Sequence, residues 1–515
     1  MLWQVISGYQ FFPWCSFLRN LALCFLSACL LVLSYPRSDI WIFAWIGLVP
    51  FFFALENRRG RVAFGLGMIT GILFFAGTLF WFVHVTLLGA ILLILYLAVY
   101  FGLFAVGYCF WEKKNFLTKL FLLPSLWVVL EFVRGHLLSG FGWVSLGHSQ
   151  YQILPLIQIA DTTGVSGISF LVVMVNVFLK EILENKFKLS FAEKSITAAA
   201  LTIVLFLGAV LGYGFYRLSR PSPTEKIRIA IIQANIPQEE KWESSAWPVI
   251  MSRYLDLTRQ AAKDHPDLII WPETAFPGFV WEAPQLFVDL ENFVAKLKIP
   301  LLLGMVTLTR DSYYNSAVLI SAEGEVAEQY DKLHLVPFGE YIPLRHIFPF
   351  LSAIVPIGDF TPGNKFTPFP LVSQKNKGSR KPGVFSALIC FEDTIPEISS
   401  AFTRRGSNLL VNITNDAWFQ DTKAPYLHLQ ASLFRTVENH RGLVRVANTG
   451  ASCFIDPSGR VIRYVEDSTH KKTYVAGFAI QDIGLNQENT FYSKYGDIFT
   501  YLCFGGILMG MMRRR

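Results

Sequence analysis

The sequence predicts an α-helical membrane part of about eight spans joined to one α/β domain. Of its 515 residues, 53% are hydrophobic and only 16% charged, against roughly 25% charged in an ordinary soluble domain. Long apolar runs crowd the chain before residue 218 and after residue 490, while the stretch between them alternates strand-like and helix-like patterning. Basic residues are uneven too: residues 1–218 hold 14 Lys and Arg against 8 Asp and Glu, whereas residues 219–512 are near neutral with 28 against 30. A nucleic-acid partner would need a basic face on the soluble part, so that class is excluded. This much apolar surface also excludes a disordered chain or a secreted disulfide scaffold.

Crossing a bilayer takes about 20 apolar residues. Seven runs before residue 218 approach that length, at about 17–35, 40–55, 61–83, 87–111, 116–133, 163–183 and 196–217, and an eighth lies near 492–511. The second is short and the fifth contains Pro124. The first run lacks a small-residue cleavage site before Tyr35 and leads straight into further spans, so it is expected to stay in the mature chain. The expected organisation is a transmembrane part at 1–218, an α/β domain at 219–490, and a last helix with a basic tail at 491–515.

With the N-terminus inside, the cytoplasmic segments collect Arg19, Arg58, Arg59, Arg61, Lys113, Lys114, Lys119, Lys180, Lys186, Lys188, Lys194 and the terminal Arg513, Arg514 and Arg515. The other side keeps only Arg37, Arg134 and Arg217 of the membrane part. The positive-inside rule then places the α/β domain outside: the periplasmic face of a bacterial inner membrane, or the outer face where there is one membrane. Glu131 and Arg134, three apart at a helix end, precede the polar, Gly-rich loop 135–152. An ion pair with Trp143 in the aromatic belt and a functional mouth near the headgroups both fit this pattern.

In the α/β part, strands are predicted at 227–233, 267–271, 301–308, 317–321, 384–390, 409–414 and 443–447, and helices at 246–263, 284–298, 396–405 and 426–439. Runs such as LLVNIT are apolar at nearly every position, the mark of strands buried on both faces. No internal sequence repeat is visible. The apolar stretch 347–357 fits a lid, a membrane-dipping segment or plain core.

Three strand ends break the apolar pattern with reactive residues: Glu273 after LIIWP, Lys332 after Tyr330-Asp331, and Cys390 after Leu388-Ile389. Strand ends are where α/β sheets place chemistry. A thiolate nucleophile, a carboxylate to move its proton and a cation near the developing oxyanion suffice for acyl transfer. Each residue alone has a structural reading: a core thiol, a turn carboxylate, a solvated lysine.

The strings that hold them are WPETAFP at 271–277, YDKLHLVPFGEYIP at 330–343 and ALICFED at 387–393. They resemble the Glu-Lys-Cys set of the nitrilase (carbon-nitrogen hydrolase) superfamily, and within it the integral-membrane apolipoprotein N-acyltransferase family. LEFVRG, SGFGW and GHSQ in the membrane part are similar to that family as well. The resemblance implies eight spans and an external α-β-β-α sandwich. It implies Cys390 as nucleophile, Glu273 as general base and Lys332 as oxyanion-stabilising cation, with Glu340 and Glu392 in support. Trp242 and Trp418 match aromatic positions on loops near the substrate entrance, with Phe391 beside the nucleophile. Phe391 stands where many members have Tyr, and Gln420 where Gly is common.

The implied activity is the final step of bacterial lipoprotein maturation. An acyl chain, preferably sn-1, passes from a phospholipid through a thioester on Cys390 to the α-amine of the N-terminal diacylglyceryl-cysteine of an apolipoprotein. The implied partners are phospholipid, membrane lipid and the apolipoprotein; a monomer without cofactor or metal is expected. Two other classes are weighed against it. A membrane-anchored amidase using water as acceptor would need one anchor, not seven or eight spans; a transporter or inactive receptor would need more intramembrane polar residues and an internal repeat. Cys390 and Cys453 are the two external cysteines, and a disulfide between them would remove the nucleophile.

Overall fold

The computed structural model describes residues 13–187, 193–221, 223–337, 339–341, 360–371 and 383–512. The stretch 347–357, the loop 374–382 and the terminal arginines lie outside the described residues. The chain divides into two compact units: Met1–Gln152, Val165–Gly212 and Ile498–Arg515 form one, Ile153–Gly164 and Tyr213–Asp497 the other.

Among the described residues, six helices are long and apolar enough to cross a membrane. They are α1 (Pro13–Leu33), α2 (Gly60–Leu79, extended by a 3-10 turn to His84), α3 (Leu87–Trp111), α4 (Phe116–His136), α5 (Val165–Phe187) and α6 (Glu193–Leu218). Asn115 caps α4 by accepting from the Thr118 N–H at 2.8 Å. Glycine lets α2 and α3 touch backbone to backbone. A Cβ on Gly67 would lie 2.5 Å from the Phe101 carbonyl oxygen, and one on Gly71 2.8 Å from Ala98 Cα. Close approach of this kind replaces the hydrophobic effect as the packing force between helices in lipid.

Two further apolar helices, Trp41–Leu55 and Ile498–Met512, are shorter. The first is broken into a 3-10 turn at Trp41–Phe43 and two helices, Ala44–Gly47 and Val49–Leu55, with Pro50 in the first turn of the last. Proline removes a backbone donor, so the break needs outside partners. Asn176 of α5 supplies two, accepting from Leu48 N at 2.8 Å and donating to the Ala44 carbonyl at 2.9 Å, and Ser27 of α1 donates to the Gly47 carbonyl.

At the end of α4, Glu131 and Arg134 form no ion pair with each other among the described residues. Glu131 accepts from Trp127 Nε1 at 2.8 Å and Leu146 N at 2.7 Å, while Arg134 donates to Ser145 Oγ at 3.1 Å and lies 5.6 Å over the Phe75 ring. Both charges are turned to the returning loop, whose polar groups need partners more than the charges need each other.

The second unit contains two six-stranded sheets, ordered β12-β1-β2-β3-β4-β5 and β6-β7-β8-β9-β10-β11. The strands are β1 (Lys226–Gln233), β2 (Leu268–Ile270), β3 (Leu301–Thr309), β4 (Ser312–Ile320), β5 (Val326–Asp331), β6 (Phe369–Leu371), β7 (Gly383–Ile389), β8 (Leu409–Thr414), β9 (Gly442–Ala447), β10 (Cys453–Ile455), β11 (Val461–Tyr464) and β12 (Gly477–Gly484). In each sheet three strands are parallel, β1-β2-β3 and β7-β8-β9, flanked by antiparallel neighbours. The sheets thus share one pattern of strand directions that no sequence repeat announces, though the leading edge strand is the last of the chain in the first sheet (β12) and the first of its run in the second (β6).

The parallel crossovers are α7 (Trp247–Ala262) and α8 (Pro284–Leu297) in the first sheet, α9 (Pro396–Arg404) and α10 (Ala424–Asn439) in the second. Ile250 and Tyr254 of α7 and Leu290 and Val294 of α8 pack with Ile232, Ile269, Trp271 and Leu303 of the first sheet. The other faces of the sheets meet through β1 against β9 and β4 against β7, which gives an α-β-β-α sandwich. The short outer strands β6 and β11 escape a reading by period because they hold three and four residues.

Candidate active site

Each candidate residue stands where a strand releases the chain. Glu273 lies three residues beyond β2, Lys332 directly after β5, and Cys390 directly after β7 at the head of a 3-10 turn, Cys390–Thr394. Two of these bends are strained. Thr274, next to Glu273, has φ +46°, and Cys390 itself has φ +52°, a region costly for side-chain-bearing residues and enriched at functional sites. Behind Glu273 runs β3, where a Cβ on Gly304 would fall 2.5 Å from Glu273 Cα. Only glycine leaves room for the carboxylate's backbone there.

Glu273 and Lys332 meet in one buried network, and the half-buried Cys390 thiol lies close enough to feel both charges. Lys332, 1% exposed, holds Glu340 at 2.8 Å and Glu273 at 3.7 Å. Glu273, 6% exposed, also accepts from Asn315 Nδ2 and from the Asn415 N–H, each at 2.8 Å. Asn315 Nδ2 spans both acids, reaching Glu340 Oε1 at 2.7 Å, and Glu340 takes a third bond from Val336 N at 2.8 Å. Burial opposes the charge of Lys332, but Glu340 and Glu273 outweigh it, so the lysine is held above its ordinary pKa as a permanent cation. Burial and then the Glu273 charge push the Cys390 thiol well above its usual value, against the pull of Lys332 and the Thr414 hydroxyl. The resting sulfur is therefore a thiol, and it needs a base.

Glu392 lies two residues past Cys390 and fastens the Cys390 and Lys332 loops together. It accepts from Ile389 N at 2.8 Å beside Cys390, and from Tyr330 Oη at 2.9 Å, Leu333 N at 2.7 Å and His334 N at 3.2 Å around Lys332. Burial raises it to about 7, with the hydrogen bonds and Lys332 pulling the other way.

The aromatic candidates stand apart from this network. Trp242, 45% exposed, faces Phe279 at 5.7 Å, and Trp418 is 49% exposed on the turn Asp416–Phe419. Phe391 stacks on His334 at 6.0 Å. Gln420 adopts φ +53°, ψ −170°, a region that glycine occupies freely, so this chain carries backbone strain there.

Several contributors escaped the reading of the sequence. Lys241, beside Trp242, is buried and donates to the Glu273 carbonyl at 3.3 Å and Thr274 Oγ1 at 3.0 Å; burial lowers it to about 8. Asn315 gives only a weak signal, a polar residue in the middle of an otherwise filled strand. Asp393, Asp416, His428 and Arg445 are also fully enclosed near Cys390. Cys390 and Cys453 are both free thiols, so the alternative disulfide is not formed.

Residues 27–178 match the family described as the apolipoprotein N-acyltransferase N-terminal domain, and residues 228–485 match the carbon-nitrogen hydrolase family. An apolipoprotein N-acyltransferase of Geobacter metallireducens is 37% identical over 505 residues, covering 95% of this chain and 94% of its own. The chain belongs to the apolipoprotein N-acyltransferase family. A second such enzyme, from Shewanella oneidensis, is 30% identical with 96% of both chains covered, and one from Chlorobaculum tepidum is 29% identical over 92% and 91%. The protein is thus an apolipoprotein N-acyltransferase of the nitrilase superfamily, a membrane protein and an acyltransferase with an active-site cysteine.

Proposed function

We propose that Cys390 is the nucleophile, Glu273 the general base and Lys332 the oxyanion-stabilising cation of a ping-pong acyl transfer from phospholipid to apolipoprotein. The observation that carries this is the buried Lys332–Glu273–Glu340 network beside the Cys390 thiol, in a chain with six bilayer-length helices among the described residues. In the first half-reaction the Glu273 carboxylate takes the Cys390 proton as sulfur attacks a phospholipid ester carbonyl, preferably at sn-1. Lys332 and main-chain N–H groups steady the tetrahedral oxyanion. Collapse expels the lysophospholipid alkoxide, which takes the proton back from Glu273, and a thioester remains. In the second, the α-amine of the diacylglyceryl-cysteine attacks that thioester, Glu273 accepts the amine's proton, and the leaving thiolate recovers it.

In this reading Glu340 fixes Lys332, and Glu392 fixes the loops of Lys332 and Cys390. Trp242, Phe391 and Trp418 contact substrate. The catalytic part, 219–490, faces the periplasm between a membrane part at 1–218 and a final helix and basic tail at 491–515, in the inner membrane, as a monomer. Lipid-anchored donor and acceptor account for the membrane part.

The test is mass spectrometry of the purified protein with phospholipid alone, wild type against Cys390→Ala, followed by a diacylated lipopeptide with a free amine. An acyl adduct on wild type that moves to the peptide is the expected result. An adduct that water discharges as fast as peptide would favour the amidase reading; no adduct would remove Cys390 from the chemistry.

A further inference from the structure

Behind the nucleophile's turn lies a second group of charges that the mechanism above does not use. His428 of α10 is 1% exposed and sits among acceptors. Its Nδ1 faces Asp416 Oδ1 at 3.0 Å; its Nε2 faces Asp393 Oδ1 at 2.8 Å and the main-chain carbonyl of Cys390 at 3.2 Å. A neutral imidazole has one donor and one acceptor nitrogen. Here both nitrogens meet oxygens, while the other oxygen of each carboxylate is supplied with donors already. Arg445 of β9 donates to Asp393 Oδ2 at 2.9 Å and Asp416 Oδ2 at 3.1 Å, and Ser432 Oγ donates to Asp393 Oδ2. With Arg445 held against both acids, an imidazolium donating from its two nitrogens satisfies every group of the cluster.

Two carboxylates, one imidazolium and one guanidinium sum to zero, which makes so deep a burial tolerable. The charged groups facing His428 are Asp393 on the turn after β7, Asp416 on the turn after β8 and Arg445 on β9, with the Cys390 thiol beyond the carbonyl. The same carbonyl is gripped from its other side by Asn412 Nδ2 at 3.1 Å, whose Oδ1 is held by Arg445 at 2.6 Å.

We propose that His428 is a positioning residue for acyl transfer: as an imidazolium fixed by Asp393 and Asp416, it donates to the Cys390 carbonyl and holds the nucleophile's turn in its positive-φ conformation. This rests on Cys390 being the nucleophile. Burial and Arg445 disfavour the cation, but the two aspartates prevail and His428 titrates above its ordinary value. Its contribution to the folded state is complete at low pH and is lost as pH rises through that raised value.

The experiment uses the full-length enzyme with phospholipid and diacylated lipopeptide. Wild type is first shown to acylate Cys390; failure there overturns the nucleophile assignment, not this proposal alone. His428→Ala is then expected to lower kcat at least tenfold with KM within twofold. His428→Gln, which restores a donor toward the carbonyl without a titrating charge, is expected to recover part of kcat and to lack an alkaline limb that wild type shows. Wild-type kcat in the Ala variant, or an unchanged alkaline limb in the Gln variant, overturns the proposal. Should the variants not fold, nitrogen-15 histidine NMR of wild type decides: an imidazolium persisting at pH 8 supports it, and nine neutral rings overturn it.

Discussion

Lys332 carries more of the site than a single charge implies. It is the cation between two buried acids, Glu340 at 2.8 Å and Glu273 at 3.7 Å. Removing one partner of a buried pair typically costs about 3–5 kcal/mol, because the other charge stays buried without compensation. Lys332→Met is therefore expected to lower the unfolding midpoint in a thermal scan and to slow thioester formation by about a hundredfold or more in a single-turnover assay. Glu392 predicts a pH dependence. Its four donors match the carboxylate form, while burial holds its pKa at about 7. The folded state binds this proton more tightly than the unfolded chain, so raising pH from the ordinary value of 4.5 to about 7 costs stability even as it completes the hydrogen-bonded clasp. Acyl transfer by wild type is expected to fall as pH is lowered through 7, and Glu392→Gln to lose that acidic limb; a limb of equal midpoint in the variant would assign it to another group.

At the scale of elements, the site depends on how strands end. β2 and β7 are parallel strands whose exits carry Glu273 and Cys390, and each exit holds a residue at positive φ. β3 must pass close behind the first. Gly304→Ala places a methyl 2.5 Å from Glu273 Cα, and overpacking of this kind costs about 1–3 kcal/mol. The variant is expected to fold with a modestly lower midpoint and at least tenfold slower thioester formation, since the base moves while the core survives. Wild-type rates in a Gly304→Ala protein would show that β3 yields instead. Prediction of elements succeeded where the period was long: α7, α8, α9 and α10 lie within two residues of their expected bounds. It missed β6, β10 and β11, too short to show a period, β5 and β12, half-open strands with few buried apolar residues, and the division of the 40–55 run, where composition gave no hint of Pro50 and the Asn176 side chain.

For the whole molecule, the orientation proposed above rests on the charge asymmetry of the loops. Glu323 is exposed on the β4-β5 turn, far in sequence from every candidate site residue on the β2 and β7 exits. In a background lacking the other cysteines, Glu323→Cys is expected to react with a membrane-impermeant maleimide in spheroplasts without lysis. Labelling only after lysis would place the α/β part inside and reverse the topology proposed from the positive-inside rule.

The amino-acid sequence alone was enough to locate the long apolar runs, seven of the twelve described strands and the four crossover helices, and to single out Glu273, Lys332 and Cys390 as candidates, because apolar period and motif wording are local properties. It could not reveal Asn315 spanning two acids, Lys241 against the Glu273 carbonyl, or the matched strand directions of the two sheets. Nor could it show that Glu131 and Arg134 hydrogen-bond to the loop and not to each other, or that Asp393, Asp416, His428 and Arg445 cluster behind Cys390. Those facts join residues distant along the chain, and their energies arise only once folding has excluded water and left each buried charge to find its partner.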